Sequence, residues 1–198
     1  MTTGENVQPT SSEEISTSTP HIISSVEQLH EGVTYLLPHE LIRVQDLLAK
    51  TEAELKVLAE QRFEAMHQSS ETWHDNAPAE AIKHTGEVPG RRRDKLDKML
   101  RSQFILDYPS KEIPFATIGS RVLIKVGQTE PFTIDIVGAQ TESTDSNPDI
   151  EESTYRSPLA IAIIGKSVGE TPLATIGDRT LEVTILGIDQ EAQQLEYS

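Results

Sequence analysis

Leu41 to Ala65, LIRVQDLLAKTEAELKVLAEQRFEA, places Leu41, Val44, Leu48, Thr51, Leu55, Leu58, Arg62 and Ala65 at alternating steps of three and four. That spacing lines one side of a helix and is the seam of a coiled coil. A seam needs a partner helix. Ala79, Ile82, Leu96, Leu100 and Phe104 form a second, sparser stripe. Between the stripes, Glu71-Thr72-Trp73-His74-Asp75-Asn76-Ala77-Pro78 is polar enough to let the chain reverse. The expected unit is therefore an antiparallel helical hairpin over 38–108. Pro38 suits the first turn of its first helix, where a missing N–H costs nothing, and Glu40 suits the positive N-terminal end. A helix from Pro38 to Ser69 would be roughly 50 Å long.

The second helix carries an expected defect. Gly86-Glu87-Val88-Pro89-Gly90 sets a proline between two glycines. A helix-interior proline costs about 3 kcal/mol, which predicts a kink or break there and a resumed helix from Gly90 to about Leu106. Asp75 or Asn76 would cap this helix, with Pro78 in its first turn.

Beyond Tyr108-Pro109 the period changes. Val122, Ile124 and Val126 alternate, as do Phe132, Ile134 and Ile136, and again Leu181, Val183 and Ile185. That is the period of half-buried strands, so a compact β-containing domain over 109–198 follows the hairpin and the fold class is α+β. Thr141 to Glu152 is polar and acidic and reads as an exposed loop. Ser157-Pro158 opens a short apolar helix that closes at Gly165-Lys166. Met1 to about Ser25 is rich in Ser, Thr and Glu and has almost nothing to bury, and 1–37 as a whole reads as a weakly ordered tail. Within it, Ile22, Ile23, Val26, Leu29, Val33 and Tyr35 could form a short docking segment.

Composition narrows function. A formal net charge of −15 argues against a general duplex-DNA binder, which needs a basic surface, and is compatible with docking on a basic partner. The absence of cysteine excludes disulfides and thiolate-ligated zinc. His67, His74 and His84 fit no zinc spacing, so no metal site of its own is expected. No apolar run is long enough to span a bilayer, and the expectation is a cytoplasmic protein with no membrane partner. Arg91, Arg92, Arg93 and Lys95 form the dense basic run of an acidic chain, either a contact patch or a helix face balanced by Asp94 and Asp97. Trp73 and His74 at the loop could meet a partner or fold back on the helix ends.

The hairpin with a loop ending in Asp75-Asn76-Ala77, the stretch SPLAIAIIGKSVGE (157–170) and the closing strand LEVTILGI (181–188) together resemble the Gre family of bacterial transcript-cleavage and elongation factors. The resemblance spans roughly Pro38 to Ile188. It implies a coiled-coil rod joined to a C-terminal domain of FKBP-like fold. That domain would dock on RNA polymerase through Ser157, Pro158, Leu159 and Gly165, while the rod enters the secondary channel. The tip would present acids near the polymerase active centre, helping to hold its second Mg²⁺ and to orient water against the 3′ end of backtracked RNA. The chain would then act as a monomer without a cofactor of its own, and not as a stand-alone enzyme.

Carried over residue by residue, the family tip D-L-x-E-N-A-E-Y finds its second acid, Asn and Ala in Asp75, Asn76 and Ala77. Thr72 stands where the first acid would be, and Pro78 replaces the acid that follows. Glu71 is one residue away and would have to assist Asp75. Two further readings stay open: a channel-binding regulator without cleavage, and an FKBP-like peptidyl-prolyl isomerase, for which fold alone is no argument.

Overall fold

The computed structural model describes residues 22–68, 77–139 and 150–196. Two helices dominate one end of the molecule, α1 (Pro38–Gln68) and α2 (Ala77–Arg101). They pack along each other, and at 31 residues α1 is about 46 Å long. The α1 seam faces α2. Val44 and Thr51 are buried, Leu41, Leu48, Leu55, Leu58 and Ala65 are half-buried, and Arg62 is exposed. Thr51 is tolerated inside because its hydroxyl donates back to Leu47 O at 2.7 Å, so no polar group is orphaned.

Four sequence expectations need correction, three of them in the placement of elements. First, α2 is not broken at Pro89; it runs unbroken from Ala77 to Arg101. Pro89 is buried. A helix held along its length by a partner can absorb one lost backbone hydrogen bond, because packing rather than propensity carries most of its stability. Second, the helix does not continue to Leu106. It ends at Arg101, and Gln103–Ile105 becomes strand β2, paired in parallel with β1 (Thr34–Leu36) from the far side of the hairpin. Third, the loop expected over Thr141 to Glu152 ends early, because Ile150–Thr154 forms β5. Its polar sequence is no obstacle at an edge, since strand pairing needs only backbone groups.

The β1–β2 pair also changes the reading of 22–37. Ile23, Tyr35, Leu36 and Leu37 are buried, so this stretch packs onto the body instead of trailing as a tail. A short 3-10 turn, Val26–Gln28, is closed by a capping box in which the Gln28 side chain accepts from Ser24 N at 2.7 Å and Ser25 N at 3.3 Å.

The body is a five-stranded sheet in the order β5-β4-β3-β7-β6. It is built from β3 (Arg121–Val126), β4 (Phe132–Val137), β5, β6 (Leu173–Ile176) and β7 (Arg179–Asp189). Pairing is antiparallel except between β4 and β5. The alternation read from sequence fills one face: Val122, Ile124, Ile134, Ile136, Val183 and Ile185 are fully buried. The short helix α3 (Pro158–Ile163) closes that core with Ala160 and Ile163. At the C-terminus, α4 (Ala192–Glu196) is tied to the sheet where Arg121 bridges Asp135 and Glu196.

Candidate functional site

Ser157 to Gly165 is built as a short capped helix with one face in the core and the other outward. Ser157 is extended (φ −69°, ψ 150°) and its hydroxyl accepts from Ala160 N at 3.1 Å, closing the first turn of α3. Ser153 Oγ lies 2.6 Å from the same hydroxyl and holds it from the β5 side. Pro158, at the first helical position, is exposed. Leu159 turns partly into the core, Ala160 and Ile163 fully, and Ile161 is left 44 % exposed. The periodicity of a one-and-a-half-turn helix therefore leaves Pro158 and Ile161, three residues apart, on its outer side.

Gly165 ends the element with φ +79°, a left-handed position that favours glycine, and its N–H donates to Ala116 O at 2.8 Å. A Cβ there would collide with Ser24 O. The 22–33 segment thus packs against the closing glycine, so Gly165 shapes the end of α3, and the side on which a Cβ would stand is occupied.

The rod and the body meet at a second polar cluster. Glu40, in the first turn of α1, is 2 % exposed. Its Oε2 accepts from Leu37 N at 2.7 Å and its Oε1 from Gly138 N at 2.8 Å and Ala139 N at 3.4 Å. One carboxyl thereby caps the rod and rivets it to the end of β4. Burial pushes this carboxyl up to about 7 against the lowering effect of those N–H donors. The neighbouring His39 stacks on Tyr108 with ring centroids 5.7 Å apart, and its Nδ1 lies 2.6 Å from the Tyr108 hydroxyl. Burial, with Arg43 nearby, holds His39 down to about 4. Arg43 reaches Glu152 on β5 at 3.8 Å.

The candidate tip residues Glu71, Thr72, Trp73, His74, Asp75 and Asn76 lie outside the described residues. The helix ends that bracket them, Gln68 and Ala77, are at the end of the hairpin away from the sheet. On α2 the basic run is largely met by its own acids. Arg91 pairs with Glu87 at 3.8 Å, Arg93 with Asp94 at 2.5 Å and Arg101 with Asp97 at 2.9 Å, while Arg92 is half-buried and Lys95 exposed. Exposed pairs of this kind contribute little to stability. No group of three or more His, Asp or Glu placed to hold a metal ion occurs among the described residues. Also among them, no helix is long and apolar enough to cross a membrane.

Sequence reasoning missed Arg156 and Ile161; it marked the apolar positions of 22–35 as a docking segment but not the surface they pack on. The spacing of Val26, Leu29 and Val33 was the available signal, but three apolar residues in a polar stretch do not reveal which surface they cover.

Comparison with known proteins bears on the same regions. Residues 111–190 match the family described as transcription elongation factor, GreA/GreB, C-term. The transcription elongation factor GreA of Roseiflexus castenholzii is 27 % identical over 152 residues, covering 73 % of this chain and 94 % of that protein. Among solved structures, GreA factor homolog 1 of Thermus thermophilus is 22 % identical, with 79 % of this chain and 99 % of that one covered and a TM-score of 0.37. A GreA/GreB factor from Nitrosomonas europaea is also 22 % identical, covering 55 % and 91 % of the two chains at a TM-score of 0.30. The family match takes in β3 to β7 together with the Ser157-capped helix, and the GreA likeness covers most of the chain: the C-terminal body matches the GreA/GreB transcription elongation factors, and the chain is similar to GreA beyond that body.

Proposed function

We propose that the chain binds RNA polymerase through the Ser157 to Gly165 element and carries its hairpin into the secondary channel, where it modulates elongation. Members of this family act on the polymerase and are not stand-alone enzymes. The observation that carries the reading is the pairing of a preformed helix face, with Pro158 and Ile161 outward, and a rod about 46 Å long whose helices pack chiefly on each other. In this reading the sheet is the anchor, of FKBP-like type, and the rod is the probe. Pro158→Glu puts a charge on the outer face without touching the Ser157 cap. It should weaken binding to core polymerase at least about tenfold, the scale of an interface hot spot. Unchanged affinity in a titration would remove this element from the interface.

Whether the probe assists cleavage turns on its tip. Thr72 supplies no charge where the family pattern has its first acid, and Pro78 replaces the acid that follows. Two-metal chemistry needs ligands placed to within about 0.5 Å, so one remaining acid is a poor substitute for two. This favours the second reading, a channel-occupying regulator without cleavage. Backtracked complexes decide between them. A cleaving factor shortens the RNA, and Asp75→Ala, alone or with Glu71→Ala, abolishes the effect. A non-cleaving one alters pausing or nucleotide entry with RNA length unchanged, and Asp75→Ala leaves that activity intact.

A further inference from the structure

The 22–33 segment crosses the body as a strap and ends against the docking element. Its N-terminal anchor is Ile23, 2 % exposed, whose carbonyl accepts from Thr117 Oγ1 at 2.6 Å. Its C-terminal anchor is Val33, whose carbonyl accepts from Tyr155 Oη at 3.0 Å and Arg156 Nη2 at 2.8 Å. Between them Tyr35 Oη donates to Gln28 O and accepts from His30 N, both at 3.1 Å. Strap and α3 enclose a shallow groove of about 360 Å³, lined by Val26, Leu29, Tyr155, Arg156 and Ile161 and, from the strap, by His30 and Glu31.

We infer that this groove is the second half of the polymerase-docking surface, receiving a polymerase segment that carries an apolar side chain beside an acidic one. The inference rests on the proposed function, because its occupant is the partner that Pro158 would meet. Continuity supports it: Ile161 faces outward on α3 together with Pro158 and also lines the groove, and Arg156 immediately precedes the Ser157 cap. Charge supports the acidic neighbour. Arg156 Nε donates to Tyr155 Oη at 2.8 Å and Nη2 to Val33 O, which leaves three of its five N–H donors without a partner among the described residues. A guanidinium held by two hydrogen bonds is suited to a carboxylate, and Glu31 on the strap side of the groove confines that carboxylate to the Arg156 end. The floor of Val26, Leu29 and Ile161 suits an apolar side chain, and both ends of the strap are already tied, so binding orders little further chain. The family match begins at residue 111, so the strap is a contribution from outside the matched domain.

The test measures affinity of the full chain for core polymerase in Arg156→Glu and Leu29→Asp, beside Pro158→Glu. It is joined by a photo-crosslinking side chain at the exposed position 30. Each groove variant should lose at least about tenfold in affinity, and position 30 should crosslink to a polymerase subunit. If Pro158→Glu weakens binding while both groove variants bind as the parent does and position 30 does not crosslink, the groove is not an interface and the proposed docking stands. If none of the three weakens binding, the docking itself is wrong and the groove goes with it. Should Leu29→Asp fail to fold, Arg156→Glu and the crosslink decide, since both positions face solvent.

Discussion

Gly138→Ala should cost at least about 3 kcal/mol and strip the chain of most of its soluble folded yield. Gly138 follows β4, where its N–H meets Glu40 and the backbone of Tyr35 passes over it. A Cβ at this position would stand 2.6 Å from Glu40 Oε2 and 2.9 Å from the Tyr35 carbonyl carbon, and closer still to Tyr35 O. Nothing there can yield cheaply. Tyr35 is paired with Phe104 across β1 and β2, and its ring is wedged edge-on against Phe104 and Tyr155. The reason for glycine is the close approach of two backbones. Gly86, in α2, is the internal control. A Cβ there meets nothing within 4 Å, so Gly86→Ala should stabilise the protein by up to about 1 kcal/mol. Urea unfolding of both variants checks the pair, and a Gly138→Ala midpoint equal to that of the parent would mean that rod and sheet are not pressed together as described.

Glu40→Ala should also destabilise by about 3 kcal/mol or more, because the buried N–H groups of Leu37, Gly138 and Ala139 lose their acceptor. The loss should depend on pH in a defined sense. The Glu40 carboxyl is raised from 4.5 to about 7 in the folded chain, so the folded state binds the extra proton between those values. The stability Glu40 contributes is complete below about pH 4.5 and declines as pH rises through about 7. The gap between parent and Glu40→Ala should therefore be wider at pH 5 than at pH 8, by about 3 kcal/mol at most. His39 works in the opposite sense. Its folded pKa lies below the ordinary 6.5, so what it contributes is present above 6.5 and lost as pH falls through about 4. In the parent the two slopes oppose each other between about pH 4.5 and 6.5, and Glu40→Ala should uncover the His39 limb as stability that rises with pH. A gap that stays constant across the series would sink this account.

The helical hairpin was legible because its signal is local and repeated: Val44, Thr51 and the half-buried leucines between them are the positions that steps of three and four select. The alternating strands and the Ser157-Pro158 start of α3 were legible for the same reason. Each is written in the few residues that form it. Pro89 misled because the sequence displays the missing N–H and not the partner helix that compensates for it. Gln103-Phe104-Ile105 misled because its strand partner, Thr34-Tyr35-Leu36, lies on the other side of the whole hairpin. Glu40 offered its helix-start role to inspection, yet nothing in the sequence pointed to Gly138, 98 residues away.

From the residues alone come the periods, and with them the identity of the elements: a two-helix rod, a sheet with one buried face, and a capped short helix carrying the family resemblance. The arrangement of those elements is a tertiary matter. The β1–β2 pairing, the junction at Glu40 and Gly138, and the strap that packs against Gly165 and builds a groove with Arg156 all join residues far apart in the chain. Periodicity records which side of an element is apolar, whereas the partner that covers that side is selected only when the chain closes on itself.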